Sequence, residues 1–183
     1  FTPESFDAGE LEAFLSQRYG FQTAFRRPDT LKGMIDGVKI DCIAHKYAYL
    51  RQPYAESGIR LYSIEDIVAM KLSAIADDGS RLKDFVDIAC LSTRIPFYEM
   101  LKCYERKFPQ ANVIRPFKAL TYFDDIDFGE DIVMLNFEYD WKQIARRLKE
   151  MTVRQEHIFS QWPLKEQKLP VAEDKDTTSM KRG

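Results

Sequence analysis

Position 71 carries a lysine where the surrounding pattern calls for an apolar residue. Ile64, Ile67, Val68, Leu72 and Ile75 recur at helical spacing after Ser63. At about 100° per residue, Lys71 falls near the centre of their stripe. An ammonium there must snorkel, pair with a carboxylate, or line a cleft that needs positive charge. In a cleft it is a compact point charge suited to the phosphates of a nucleotide. Asp41 is the second unusual residue. Val38-Lys39-Ile40-Asp41-Cys42-Ile43 alternates with period two. Val38, Ile40 and Cys42 are expected to pack on helices, with Lys39, Asp41 and Ile43 on the other face. An acid in mid-strand is unfavourable on propensity. Either it faces solvent near Lys39, or it is a rigidly mounted ligand for a cation such as Mg²⁺. A third group is Lys83, Asp84 and Asp87, placed opposite a stripe of Leu82, Phe85, Val86, Ala89 and Cys90. Asp84 and Asp87 share an arc at i, i+3. Such an arc is ordinarily solvated, and it carries chemistry only if it borders the same cleft as Lys71.

Two further charged groups stand out. Asp124, Asp125, Asp127, Glu130 and Asp131 crowd one loop, but the spacing fails the EF-hand pattern and a solvated loop is expected. Lys142, Arg146 and Lys149 share a helix face with Arg147 and Arg154 nearby. That face either contacts RNA phosphates or is simply a charged outer surface. Cys42, Cys90 and Cys103 show no CxxC or Cys/His pairing, which suits a reducing compartment, and Cys42 in its strand pattern and Cys90 in its helical one are expected to be small buried thiols. With His45 and His157 the only histidines, neither a zinc site nor a histidine-based nucleophile system is supported.

The elements that position these residues carry local signals. Ser5 and Asp7 are candidate caps for a helix stopping at Gly20. Short strands follow over 21–26, 31–35 and 38–44, with Asp36-Gly37 as a hairpin turn. After a loop carrying Pro53 and Gly58, Ser63-Ile-Glu-Asp66 resembles a capping box and opens a helix to about Ala76. Helices are expected over 81–92, from Pro96 to before Pro109, around Pro116, and over 140–157. The expected fold is α+β, a small antiparallel or mixed sheet with flanking helices followed by a helical domain. Its expected parts are an α/β portion (1–60), a helical domain (61–160) and a polar, flexible tail (161–183).

Composition excludes several classes. Of 183 residues 45% are hydrophobic, enough for a packed core. Apolar runs are far shorter than the roughly 20 residues of a membrane helix. With 27 Lys and Arg against 29 Asp and Glu, the net charge is −2, which argues against a uniformly basic nucleic-acid binder and leaves room for a local basic patch. The chain begins at Phe1 without an initiator Met, so a segment upstream is expected.

Taken together, Gly37-Val-Lys-Ile-Asp41, Leu61-Tyr-Ser-Ile-Glu-Asp-Ile-Val-Ala-Met-Lys-Leu-Ser-Ala-Ile75 and Lys83-Asp-Phe-Val-Asp-Ile-Ala-Cys-Leu91 resemble the AbiEii/AbiGii nucleotidyltransferase toxin family. Ala119-Leu-Thr-Tyr-Phe-Asp-Asp125 and Trp141 resemble its C-terminal portion, so the likeness covers about 1–155. The resemblance implies a polymerase β-like nucleotidyltransferase fold with a helical domain added. It implies transfer of a nucleotide from NTP with Mg²⁺, in some members onto tRNA, by a cytoplasmic bacterial toxin of a toxin–antitoxin or abortive-infection (phage-exclusion) pair. An antitoxin protein is the implied partner. By resemblance Asp41 is a metal carboxylate or the base for the attacking hydroxyl, Lys71 and Lys83 meet the nucleotide, and Asp84 and Asp87 belong to the catalytic K-D-x-x-D block. The family's first motif, a Gly-Gly or Gly-Ser turn followed by D-x-D, is not in this sequence, and Phe1-Thr2 looks like the residues just after it. This chain alone is therefore expected to be inactive. The rival reading is a non-catalytic interaction module, a degenerate member that binds antitoxin or RNA.

Overall fold

Asp7 caps the first helix, α1 (Ala8–Tyr19), its carboxylate accepting from the Gly9 and Glu10 amides at 2.7 and 2.9 Å. Gly20 ends α1 in the left-handed region at φ 65°, as helix C-termini favour. In this computed structural model, residues 2–129, 132–134 and 136–166 are described. The expected tail over 161–183 lies mostly outside the described residues, as do Glu130 and Asp131 of the acidic loop. Contacts divide the chain into two units. The first is Phe1–Asp66 with Arg106–Gln110, and the second is Ile67–Glu105 with Ala111–Gly183.

In the first unit, β1 (Gln22–Arg27), β2 (Thr30–Ile35) and β3 (Val38–Ile43) form an antiparallel sheet in that order. Asp36 and Gly37 both take positive φ, 48° and 78°, the requirement of a type I′ hairpin turn. This turn sets the register that pairs Leu31 with Cys42, Lys32 with Asp41 and Gly33 with Ile40. Ala8, Phe21 and Leu31 are the buried core here, with Leu11, Leu15, Ile40 and Cys42 packed around them. Val38 departs from its expected inward role: it sits beside the hairpin turn and is 61% exposed. At Gly33 an added Cβ would lie 2.2 Å from the Gln22 carbonyl oxygen and 2.4 Å from the Phe21 ring. Gly33→Ala should therefore cost about 1–3 kcal/mol in a denaturant melt through overpacking. A change below a few tenths would show that the sheet yields at this point.

The stretch after β3 contains a hairpin absent from the sequence reading. β4 (Tyr54–Glu56) and β5 (Ile59–Leu61) pair around Ser57 and Gly58, both at positive φ. Ser63 then caps α2 (Ile64–Asp77): its hydroxyl oxygen accepts from the Asp66 amide at 3.1 Å. The Asp66 side chain does not complete a capping box. Instead it accepts from the Ser63 hydroxyl at 2.7 Å and from the Leu50 and Arg51 amides at 3.0–3.2 Å. Lys107 closes this network, its ammonium 2.7 Å from Asp66 and 3.2 Å from the Ala48 carbonyl. Both side chains are fully buried.

The second unit is helical. It contains most of α2, then α3 (Leu82–Leu91), the bulk of α4 (Phe97–Lys107), α5 (Ile114–Ala119) and α6 (Trp141–Val153). Two-residue strands β6 (Phe137–Glu138) and β7 (Lys165–Glu166) pair antiparallel. Ile144, Leu148 and Met151 form the buried stripe of α6, which packs on α3. Trp141 meets the Phe85, Phe123 and Phe128 rings at 6.4, 5.1 and 5.3 Å between centroids. α6 stops four residues short of the expected His157, where Arg154 leaves helical geometry. The architecture is α+β, small antiparallel sheets with helices, as the sequence implies. Among the described residues no helix is long and apolar enough to cross a membrane.

Candidate functional site

Lys71 leaves the apolar stripe of α2 and meets two carboxylates of α3. Its Nζ lies 2.6 Å from Asp84 Oδ1 and 2.6 Å from Asp87 Oδ2. Burial works against the charge on Lys71, yet the hydrogen bonds to Asp84 and Asp87 outweigh it and raise the pKa above the ordinary lysine value. The ammonium is therefore cationic throughout the neutral range. It has three N–H donors, of which the two acids take two. Its side chain keeps 27% of its surface exposed.

The two acids differ. Asp84 is 2% exposed and Asp87 47%. Asp84 thus corrects the solvated-arc expectation, because α3 is buried nearly all round and the Lys71 charge offsets the burial of that carboxylate. Only one Asp84 oxygen is satisfied. Oδ2 is buried with no hydrogen-bond partner, and the Arg81 guanidinium stands 3.6 Å away. Buried carboxylate oxygens are normally paired, so this one marks a site whose hydrogen-bonding capacity is incompletely used. Asp87 is the more exposed of the two acids. Lys83 is half-buried on the same helix.

Asp41 belongs to the first unit and is exposed in mid-strand, across the ladder from Lys32. The structure brings Lys71, Asp84 and Asp87 together and leaves Asp41 in the other unit. Asp66 and Lys107 were missed as a pair. Ser63-x-x-Asp66 reads as a cap and Lys107 as an ordinary last-turn cation, so no local signal joins them. Among the described residues no group of three or more His, Cys, Asp or Glu could hold a metal ion. Asp41 alone supplies one ligand and Asp84 and Asp87 are committed to Lys71, so these residues do not by themselves fit a Mg²⁺ site. The expected buried thiols Cys42 and Cys90 are both half-buried, and Cys103 is the buried one. Burial, with Asp87 adding to it, pushes the Cys90 thiol up to about 12, which rules it out as a neutral-pH nucleophile.

The family model described as nucleotidyl transferase AbiEii toxin, Type IV TA system, matches residues 35–164, a span that includes Asp41, Lys71, Lys83, Asp84 and Asp87. An uncharacterized protein of Aquifex aeolicus (strain VF5), aq_aa25, is 27% identical over 153 residues, 81% of this chain and 72% of the relative. No solved structure matches significantly. The matched span covers most of the chain and every charged residue of the site, and the chain belongs to the AbiEii nucleotidyltransferase toxin family.

Proposed function

We propose that the protein transfers a nucleotide from an NTP to an acceptor hydroxyl on RNA, tRNA included, as the cytoplasmic toxin of a toxin–antitoxin or abortive-infection pair whose antitoxin is a protein. The acceptor oxygen attacks the α-phosphorus in line. The new O–P bond forms as the bond to the β-phosphate oxygen breaks, pyrophosphate leaves, and the hydroxyl proton passes to a base. We assign Lys71 to the phosphates and Lys83 to the nucleotide. Asp84 is the buried anchor that holds Lys71, and Asp87, the more exposed acid, gives up its hold on Lys71 to the incoming phosphates. Asp41 is the base or one carboxylate toward Mg²⁺, whose ligand set the described residues do not complete.

The observation that carries this reading is a lysine on an apolar stripe, kept cationic and part-exposed by two acids, one of which has an unsatisfied buried oxygen. A purely structural ion pair is better served by complete satisfaction. The test uses protein expressed from its full reading frame, each of the four labelled NTPs, Mg²⁺ and total RNA. Label should enter RNA, and Asp41→Asn, a change at an exposed side chain, should slow incorporation about 10²–10³-fold. No incorporation from any NTP contradicts the function, and full activity in Asp41→Asn contradicts that residue's role.

A further inference from the structure

Five cations, Lys142, Arg146, Arg147, Lys149 and Arg154, fall within the thirteen residues from Lys142 to the C-cap of α6. Arg26, Lys46, Arg51 and Arg115 each pair with an acid. Among the described residues Lys142, Arg146, Lys149 and Arg154 form no ion pair. At about 100° per residue Lys142, Arg146, Lys149 and Val153 lie on the side of α6 away from its buried stripe, with Trp141 and Ala145 at the edge of that stripe and Arg154 just past the helix end. Trp141, Phe123 and Val153 floor a groove of about 650 Å³ beneath Lys142 and Lys149. Val153 is 83% exposed, and Lys149 Nζ lies 5.7 Å from the Phe123 ring centroid. Arg146 and Arg154 also border a second, polar cleft of about 370 Å³.

The wall of that cleft is built, not incidental. Arg147 stacks over Phe159 at 4.2 Å and donates to the Ser92 hydroxyl at 3.0 Å and the Gln161 carbonyl at 2.8 Å. Residues 159–161 are thereby held against α6. One carboxylate, Glu150, lines both cavities and is outnumbered by five cations. An aromatic and apolar floor flanked by unpaired cations is the arrangement that binds single-stranded nucleic acid: bases stack on the rings while phosphates meet the charges. An acidic helix would find the charges matched but would leave the ring faces without a stacking partner.

We propose that the α6 face is a docking surface for a single-stranded polynucleotide segment, with its bases on the Trp141–Phe123–Val153 floor and its phosphates at Arg146 and Arg154. This rests on the proposed transfer to RNA and adds to it the place where the acceptor strand is gripped. α3 joins the two regions. Asp87 and Arg147 both act electrostatically on the Cys90 thiol, and Asp87 and Ser92 are five residues apart in sequence, about 7.5 Å along a helix.

The test is anisotropy of a fluorescein-labelled oligouridylate of about 12 nucleotides over a salt series. Arg146→Glu/Arg154→Glu, both side chains being exposed, should melt as the parent does and bind at least about tenfold more weakly. Its plot of log K against log salt should be shallower by about 1.4, the slope of two single-strand phosphate contacts. Arg94→Glu/Lys118→Glu, the same charge change elsewhere on the second unit, should keep the parent's slope. In a Trp162→Phe background, where Trp141 is the remaining indole, binding should quench the fluorescence. Undetectable binding by the parent, equal loss in both double variants, unquenched Trp141, or displacement of the strand by poly-glutamate at equal charge would overturn the proposal. Lys71→Met/Asp84→Asn should bind the strand normally. Strand binding without any nucleotide transfer would refute the enzyme reading alone, and transfer to RNA indifferent to Arg146 and Arg154 would refute this one alone.

Discussion

Lys107→Met is expected to lower the stability of the protein by about 3–5 kcal/mol, the largest effect of any single side-chain change outside the nucleotide site. The ammonium it removes is fully buried against a fully buried Asp66 carboxylate. Without it a negative charge is left inside the first unit with no counter-ion. Replacing both partners by apolar groups, which can rescue a simple buried pair, should not rescue here. Asp66 also accepts from the Leu50 and Arg51 amides and the Ser63 hydroxyl, and an apolar residue would orphan all three donors. The double variant Asp66→Leu/Lys107→Met should remain at least about 2 kcal/mol below the parent. Chemical denaturation measures this, and near-parental stability in either variant would show that the network contributes little.

The same network predicts a pH dependence. Burial raises the Asp66 pKa, but the bonds from Lys107, the Leu50 and Arg51 amides and Ser63 outweigh it and hold the carboxyl below its ordinary value. A depressed folded-state pKa contributes stability that is fully present above the unfolded value of about 3.9 and is lost as pH falls through the folded one. The parent should therefore lose stability progressively below about pH 4. In Asp66→Asn that part of the acid sensitivity should disappear.

Lys71→Met/Asp84→Asn is expected to reduce nucleotide transfer about 10²–10³-fold while the protein stays folded. The double change is needed because of what Lys71 holds. Lys71→Ala alone leaves Asp84 charged and 2% exposed, with Arg81 at 3.6 Å its remaining counter-charge, and should cost about 3–5 kcal/mol of stability whether or not Lys71 touches a nucleotide. A stability loss in that variant is thus no evidence against a functional lysine. Neutralising Asp84 at the same time removes the buried charge and exposes the functional question. Retained transfer in a folded double variant would reduce the cluster to a structural ion pair.

How much of this was legible in the sequence depended on how local each signal is. Asp7 and Gly20 bracket α1, and Asp36-Gly37 turns the hairpin through its own backbone preferences, so both could be placed without tertiary information. β4 and β5 were missed because three-residue exposed strands carry no alternation, leaving Ser57-Gly58 to look like a loop. β6 and β7 join residues almost thirty positions apart, with two-residue strands too short for any pattern. α6 was overextended because Arg154-Gln155-Glu156-His157 contains no breaker; the chain leaves the helix there with Tyr98 donating to the Gln155 carbonyl at 2.9 Å. At the site, the misfit of Lys71 on its stripe was visible at once. Asp84 was assigned to a solvated arc because periodicity weighs an acid as polar and cannot know that a half-buried cation on α2 awaits it.

In the proposed function the Lys71–Asp84–Asp87 cluster meets the triphosphate of a nucleotide. Equilibrium binding of ATP, GTP, CTP and UTP, followed by calorimetry on the parent and on folded Lys71→Met/Asp84→Asn, tests it most directly. Binding of at least one NTP by the parent, weakened about tenfold or more in the double variant, a loss of about 1.4 kcal/mol, is the predicted result. Equal affinity in the two proteins would contradict the claim.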